Sequence, residues 1–172
     1  LTALIVALAR PQKSDSWSNK TIEGIDIVMS LDISSSMLAE DLKPNRLDAA
    51  KQVATEFIAQ RPNDNIGMVV FAGESFTQCP LTTDHAVLVN LFQSVKFGMI
   101  EDGTAIGNGL ATALNRLRES EAKSKVVILL TDGVNNRGEI APLMAADIAA
   151  DMGIKVYTIG VGKQGKAPYP VI

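Results

Sequence analysis

The run Ile25-Asp26-Ile27-Val28-Met29-Ser30-Leu31-Asp32-Ile33-Ser34-Ser35-Ser36 carries two signals at once. Ile25 to Ile33 is almost continuously apolar, the pattern of a strand buried on both faces. Its end presents three oxygen-bearing side chains, Asp32, Ser34 and Ser36. Runs of the same kind occur at Ile66 to Ala72 (IGMVVFA), Val126 to Thr131 (VVILLT) and Lys155 to Val161 (KVYTIGV). Amphipathic stripes separate them: Leu47, Ala50, Ala54, Phe57 and Ile58; Leu88, Leu91, Phe92 and Val95; Ile106, Leu110, Ala113, Leu114 and Leu117; Ile140, Met144, Ile148 and Met152. Strands alternating with helices predict a doubly wound α/β domain. Its central sheet is mostly parallel, Rossmann-like, with helices on both faces. Ser75 to Leu81 is a weaker strand with Pro80 inside it, which places it at an edge or in a hairpin return.

The chain has 172 residues, enough for one domain with a real core and not comfortably for two. A net charge of −3 gives no electrostatic case for nucleic acid. One cysteine, Cys79, excludes an internal disulfide framework. Residues 1–9 (LTALIVALA) are apolar, but spanning a bilayer takes about 20 such residues. The segment reads as the end of a membrane helix, or as a short apolar stretch lying on the domain. Residues 10–24 read as a polar linker, and residues 25–172 as the domain proper.

Ligands of open α/β sheets bind outside the carboxyl ends of the strands, at the switch point in strand order. Asp32 ends the first strand. Asp132 follows the VVILLT strand, with Gly133 permitting a sharp turn. Thr104 sits in the loop Glu101-Asp102-Gly103-Thr104 ahead of a helix. If the first strand and VVILLT are neighbours, three loops meet at one rim. The alternation of Asp32, Ser34 and Ser36 would point all three side chains the same way along an extended turn. Five oxygen donors without His or Cys suit a hard divalent cation. Mg²⁺ is the first choice, with Mn²⁺ or Ca²⁺ able to use similar oxygens. Three hydroxyls would ligate while the two aspartates hold waters or orient the hydroxyls. Taken singly, each piece has an ordinary reading: Asp-x-Ser-Ser-Ser as turn chemistry, Thr104 as a helix cap, Thr131-Asp132-Gly133 as a strand end.

The joint pattern resembles the von Willebrand factor type A (VWA) domain with its metal-ion-dependent adhesion site (MIDAS). That site is written Asp-x-Ser-x-Ser, a Thr in a second loop and an Asp in a third. Asp32, Ser34, Ser36, Thr104 and Asp132 match it, and the resemblance covers residues 25 to about 162. Three stretches are also similar to membrane-anchored bacterial aerotolerance proteins of the BatA type: Phe71 to Thr82, Gly98 to Gly107 and Ala167 to Val171. The resemblance implies flanking membrane helices. It also implies a sixth strand and last helix after the Pro-Tyr-Pro segment, so the domain is expected to be incomplete at its C-terminus.

The expected function is therefore metal-dependent protein binding, with no catalysis. A partner's Glu or Asp, such as one from another member of a membrane complex, would complete the cation's shell, and Glu74, Glu101 and Asp102 would lie on the partner-binding rim. Alternatives are a structural metal with the partner docking elsewhere, such as the sheet edge, or a Mg²⁺-dependent phosphatase. An Asp at the end of a first strand also resembles phosphotransferases of the haloacid dehalogenase type, which need a second Asp two positions on as acid/base, and Ser34 stands there. Gly160-Val161-Gly162-Lys163-Gln164-Gly165 matches GxGxxG, but Pro168 and Pro170 argue against a following helix. Arg10, Lys13 and Lys20 weakly suggest a cytoplasmic domain. The resemblance implies instead a bacterial inner membrane with the domain facing the periplasm.

Overall fold

A computed structural model describes residues 24–163 and Pro168 of this chain. Strand β1 (Asp26–Asp32) is buried at every position. It lies between β2 (Asn65–Phe71) and β4 (Lys125–Thr131), parallel to both. β3 (Ser75–Thr82) returns antiparallel to β2, and β5 (Lys155–Gly160) runs parallel to β4. The five-stranded sheet thus has the order β3-β2-β1-β4-β5. Strand order reverses at β1, so the loops after β1 and β4 leave the same rim from neighbouring strands. Pro80 is accommodated because β3 is an edge strand, with register irregularities against β2.

Alternation along β1 sorts the core into two layers. Ile27, Met29 and Leu31 pack with α1 (Arg46–Ala59) and α2 (His85–Ser94). Val28 faces α3 (Ile106–Arg118) and α4 (Pro142–Asp151). Asn45 caps α1 by accepting from the Asp48 N–H at 2.8 Å, and Asp84 caps α2 through the Val87 N–H at 3.1 Å. Cys79 is buried in the first layer as a small packed residue.

The α4 stripe differs from its expected face. Met144 and Ile148 are exposed, whereas Ala145 and Ala149 are buried. Ile140 lies before the helix and Met152 at its C-cap. The alanines bring α4 close to α3, and large side chains on that face would hold it off. His85 is half-buried, and its Nε2 lies 2.9 Å from the Asp64 carbonyl oxygen.

α3 is seated with little clearance. A Cβ at Gly109 would lie 2.6 Å from the Phe71 ring, and one at Gly107 would lie 1.9 Å from the Ile140 carbonyl oxygen. The second clash is with backbone, which cannot rotate away. Gly107→Ala should therefore cost about 2–3 kcal/mol and lower the melting temperature by roughly 5–10 °C, read by thermal circular dichroism.

Candidate metal centre at the carboxyl rim of the sheet

Asp32 is the last residue of β1 and has 0% solvent exposure. Both of its oxygens are engaged: Oδ1 accepts the Ser34 N–H at 2.9 Å, and Oδ2 accepts the Thr131 hydroxyl at 2.6 Å. The carboxylate thereby joins the exits of β1 and β4. Burial pushes its pKa above the usual carboxylate value, while hydrogen bonds from Ser34 and Thr131 oppose the shift.

After Asp32 the chain tightens instead of staying extended. Ser34 is extended, but Ser35–Leu38 form a 3₁₀ turn closed by the Met37 N–H on the Ser34 carbonyl. The alternation expected for an extended turn therefore does not bring Ser34 and Ser36 together. The 3₁₀ turn does so, leaving their hydroxyl oxygens 3.1 Å apart. Ser36 Oγ also donates to Asp132 Oδ1 at 2.7 Å, although the residues are 96 apart in sequence.

The second loop is laced to the third. The Asn136 and Arg137 N–H groups donate to the Thr104 carbonyl at 3.0 and 3.3 Å. The Thr104 N–H donates to Asn136 Oδ1 at 2.9 Å. A Cβ at Gly133 would lie 3.4 Å from Thr104 Oγ1, so the loop after β4 runs directly past that hydroxyl. Thr104 does not cap α3 as its sequence position allows. The N-cap is Ala105, and the Ile106 N–H donates instead to Asn135 Oδ1 at 2.8 Å. Capping from another loop relieves the Thr104 hydroxyl of that task.

The five residues thus form one contiguous set. Asp32 meets Thr131 beside Asp132, Asp132 meets Ser36, Ser36 meets Ser34, and Thr104 lies against Gly133. In an octahedral Mg²⁺ shell, adjacent oxygens about 2.0–2.1 Å from the ion lie about 2.9 Å apart. The 3.1 Å spacing of the two serine hydroxyls fits one such edge. Among the described residues, no group of three or more His, Cys, Asp or Glu side chains is placed to hold a metal. A metal at this rim would have to use hydroxyls.

The expected rim residues divide. Asp102 is exposed but tied to the first loop, its Oδ1 accepting the Ser35 N–H at 2.9 Å. Burial raises the Asp102 pKa, but hydrogen bonds from Ser35 and Gly103 and the charge of Arg137 outweigh it, and the pKa lies below the usual value. Glu101 is exposed and pairs with Arg137 at 2.6 Å. Glu74 is exposed too. Its carbonyl accepts the Ala72 N–H in the β2–β3 turn, and Gly73 next to it donates to the Glu101 carbonyl.

Sequence reasoning missed Arg46 and Asp41. Arg46 Nε and Nη2 donate to the two oxygens of Asp41 at 2.7 and 3.0 Å, and Nη1 donates to Asp132 Oδ2. Asp41 also accepts the Lys163 N–H at 2.6 Å. The Arg46 guanidinium and the Lys163 N–H hold the Asp41 carboxyl well below the usual carboxylate range. One of the glycines singled out as GxGxxG, Gly162, has another local use. Gly162, at φ +144°, passes so close to Arg46 that a Cβ there would lie 2.9 Å from the guanidinium carbon.

The family model of the von Willebrand factor type A domain matches residues 26–171. The chain belongs to this family. An uncharacterized protein of Borreliella burgdorferi is 38% identical to this VWA chain over 160 residues, 92% of the chain and 47% of the relative. The chain spans about half the length of the curated relatives it matches first. A crystal structure of an aerotolerance-related membrane protein from Bacteroides fragilis is 36% identical with a TM-score of 0.81, covering 86% of this chain and 73% of that one. BatB from Bacteroides thetaiotaomicron is 35% identical with a TM-score of 0.75, covering 86% and 75%. Proximal thread matrix protein 1 of the mussel byssus, solved with zinc in its MIDAS motif, is 28% identical with a TM-score of 0.70, covering 81% and 36%. The fold is that of the VWA family. The apolar segment 1–9 and most of the linker lie outside the described residues, among which no helix is long and apolar enough to cross a membrane.

Two outcomes follow for the VWA domain. Asn135→Ala removes the acceptor of the Ile106 N–H, so stability should fall by about 1 kcal/mol, read as a lower urea midpoint at unchanged slope. The Asp41 pair has a pH signature. A carboxylate with a lowered pKa in the fold adds stability above its ordinary value near 4 and gives it up as the solution is acidified. The native chain should exceed Asp41→Asn in stability at neutral pH, and the difference should shrink below about pH 4 in denaturation curves taken across that range.

Proposed function

We propose that this VWA domain is a divalent-cation-dependent protein-binding module and not an enzyme. Ser34, Ser36 and Thr104 would hold the cation through their hydroxyls. Asp132 would orient Ser36, and Asp32 would hold the first loop and the end of β4 in register. Mg²⁺ is the cation we assign, on the hardness of the donor set. The observation that carries the proposal is the Ser34–Ser36–Asp132 contact, which unites two distant loops around a pair of hydroxyls at an octahedral-edge spacing. Neutral hydroxyl ligands leave most of the ion's charge unsatisfied, so a Glu or Asp carboxylate from a protein partner would complete the shell.

Glu74 and the Glu101–Arg137 pair would border the docking area, and Asp102 would act indirectly by fixing the first loop. We further propose that the domain belongs to a membrane-anchored bacterial aerotolerance-type protein, BatA-like in its sequence motifs, at the inner membrane and facing the periplasm. The similarity to the Bacteroides fragilis membrane protein supports the membrane assignment.

The test is capture of partners from solubilised membranes on the immobilised chain, with Mg²⁺ or with EDTA. Capture should require the cation. Thr104→Ala should weaken cation binding about tenfold or more and abolish capture. Capture that persists in EDTA would refute the proposal. Cation-dependent capture that persists in Thr104→Ala would favour a structural ion, with docking elsewhere, such as an edge of the sheet.

A further inference from the structure

Arg46 is a fixed positive charge beside the proposed cation. Its side chain is 13% exposed, and that of its partner Asp132 only 1%. Three of its N–H groups are spent, two on Asp41 and one on Asp132. Asn45 sets the start of α1 immediately before it, and the Gly162 backbone closes over the guanidinium. Asp41 is itself held by the Lys163 N–H. The guanidinium therefore cannot swing into solvent without breaking a bidentate ion pair and leaving Asp132 buried and unmatched, which is strongly unfavourable.

Asp132 meets this charge on one oxygen and the Ser36 hydroxyl on the other. Its negative charge is already shared with the protein before any ion arrives. We infer that Arg46 is a built-in counter-charge that lowers the affinity of the site for its divalent cation and keeps Asp132 as an orienting group. The inference rests on the cation-binding reading above and adds a residue that sets its strength. Two effects combine: the guanidinium repels the ion directly, and it withholds the Asp132 carboxylate from it. An ion so incompletely neutralised retains more attraction for a carboxylate from outside. Arg46 thereby trades cation affinity for partner affinity.

The test is titration of the 172-residue chain with Mn²⁺, followed by electron paramagnetic resonance, alongside melting in EDTA and in Mn²⁺. Arg46→Gln keeps a hydrogen-bond donor and removes the charge. It should bind Mn²⁺ about tenfold tighter and gain more melting temperature from the ion than the native chain does. Arg46→Lys keeps the charge and should stay within about threefold of native affinity, since each tenfold step needs about 1.4 kcal/mol. Unchanged or weaker Mn²⁺ binding in a folded Arg46→Gln would overturn the inference, as would equal tightening in Arg46→Lys. If Arg46→Gln folds only when Mn²⁺ is added, the ion is replacing the lost charge, which supports it. If it folds under neither condition, Asp41→Asn decides: leaving the guanidinium to Asp132 alone should weaken Mn²⁺ binding, and tighter or unchanged binding would overturn the inference. A native chain that binds no Mn²⁺ would remove the cation reading itself, a separate result.

Discussion

The Asp32 carboxylate, with no solvent contact, ties together the exits of the two central strands. Burying a carboxylate is costly unless its oxygens are paired. Here one oxygen takes a backbone N–H two residues on, and the other takes the hydroxyl that ends β4. The first bond turns the chain into the Ser34–Ser36 segment. The second fixes the point from which Asp132 departs. The second bond needs β1 and β4 adjacent and in register, Leu31 opposite Leu130. The apolar runs on either side supply that register by burying both faces of each strand.

This explains why much of the molecule can be read from its residues, and where the reading stops. Runs such as VVILLT are legible because a strand buried on both faces admits few polar side chains. The five donors are legible because each sits within a few residues of a strand or helix end, and an open α/β sheet gathers those ends on one rim. Arg46 and Asp41 escape such reading because their value lies in partners 86 and 122 residues away. Asn135 and Asn136 look like ordinary turn residues after Asp132-Gly133. Their work is to satisfy N–H groups of another loop. The α4 stripe misleads for a different reason: large apolar side chains dominate any hydropathy pattern, whereas close helix packing selected Ala145 and Ala149.

The three loops differ in how they are held. The first is bound by its own 3₁₀ turn and by Asp102 from the second. The second is bound through the Thr104 peptide to the third. The third carries Asp132, clamped between a serine and an arginine. Almost every restraint falls on backbone or on a carboxylate. Side chains at the outer edge, such as Glu74, Glu101 and Val134, are left in solvent. A rigid floor under an exposed border suits recognition of a partner, because the inner groups need no reordering when it docks.

A hydroxyl-rich set held this firmly has a consequence for what it can grip. Hydroxyls carry no charge, and the two carboxylates nearest them are engaged by Thr131, Ser34, Ser36 and Arg46. The protein therefore offers a hard cation geometry more than neutralisation. Cation sites gain affinity from ligand charge count and rigidity, and here rigidity is high while available charge is low. The missing negative charge is the feature a docking carboxylate would supply. On the proposed reading, ion and partner would be linked: binding of either would strengthen binding of the other by the same factor. A rim built to bind its ion tightly by itself would forfeit that linkage.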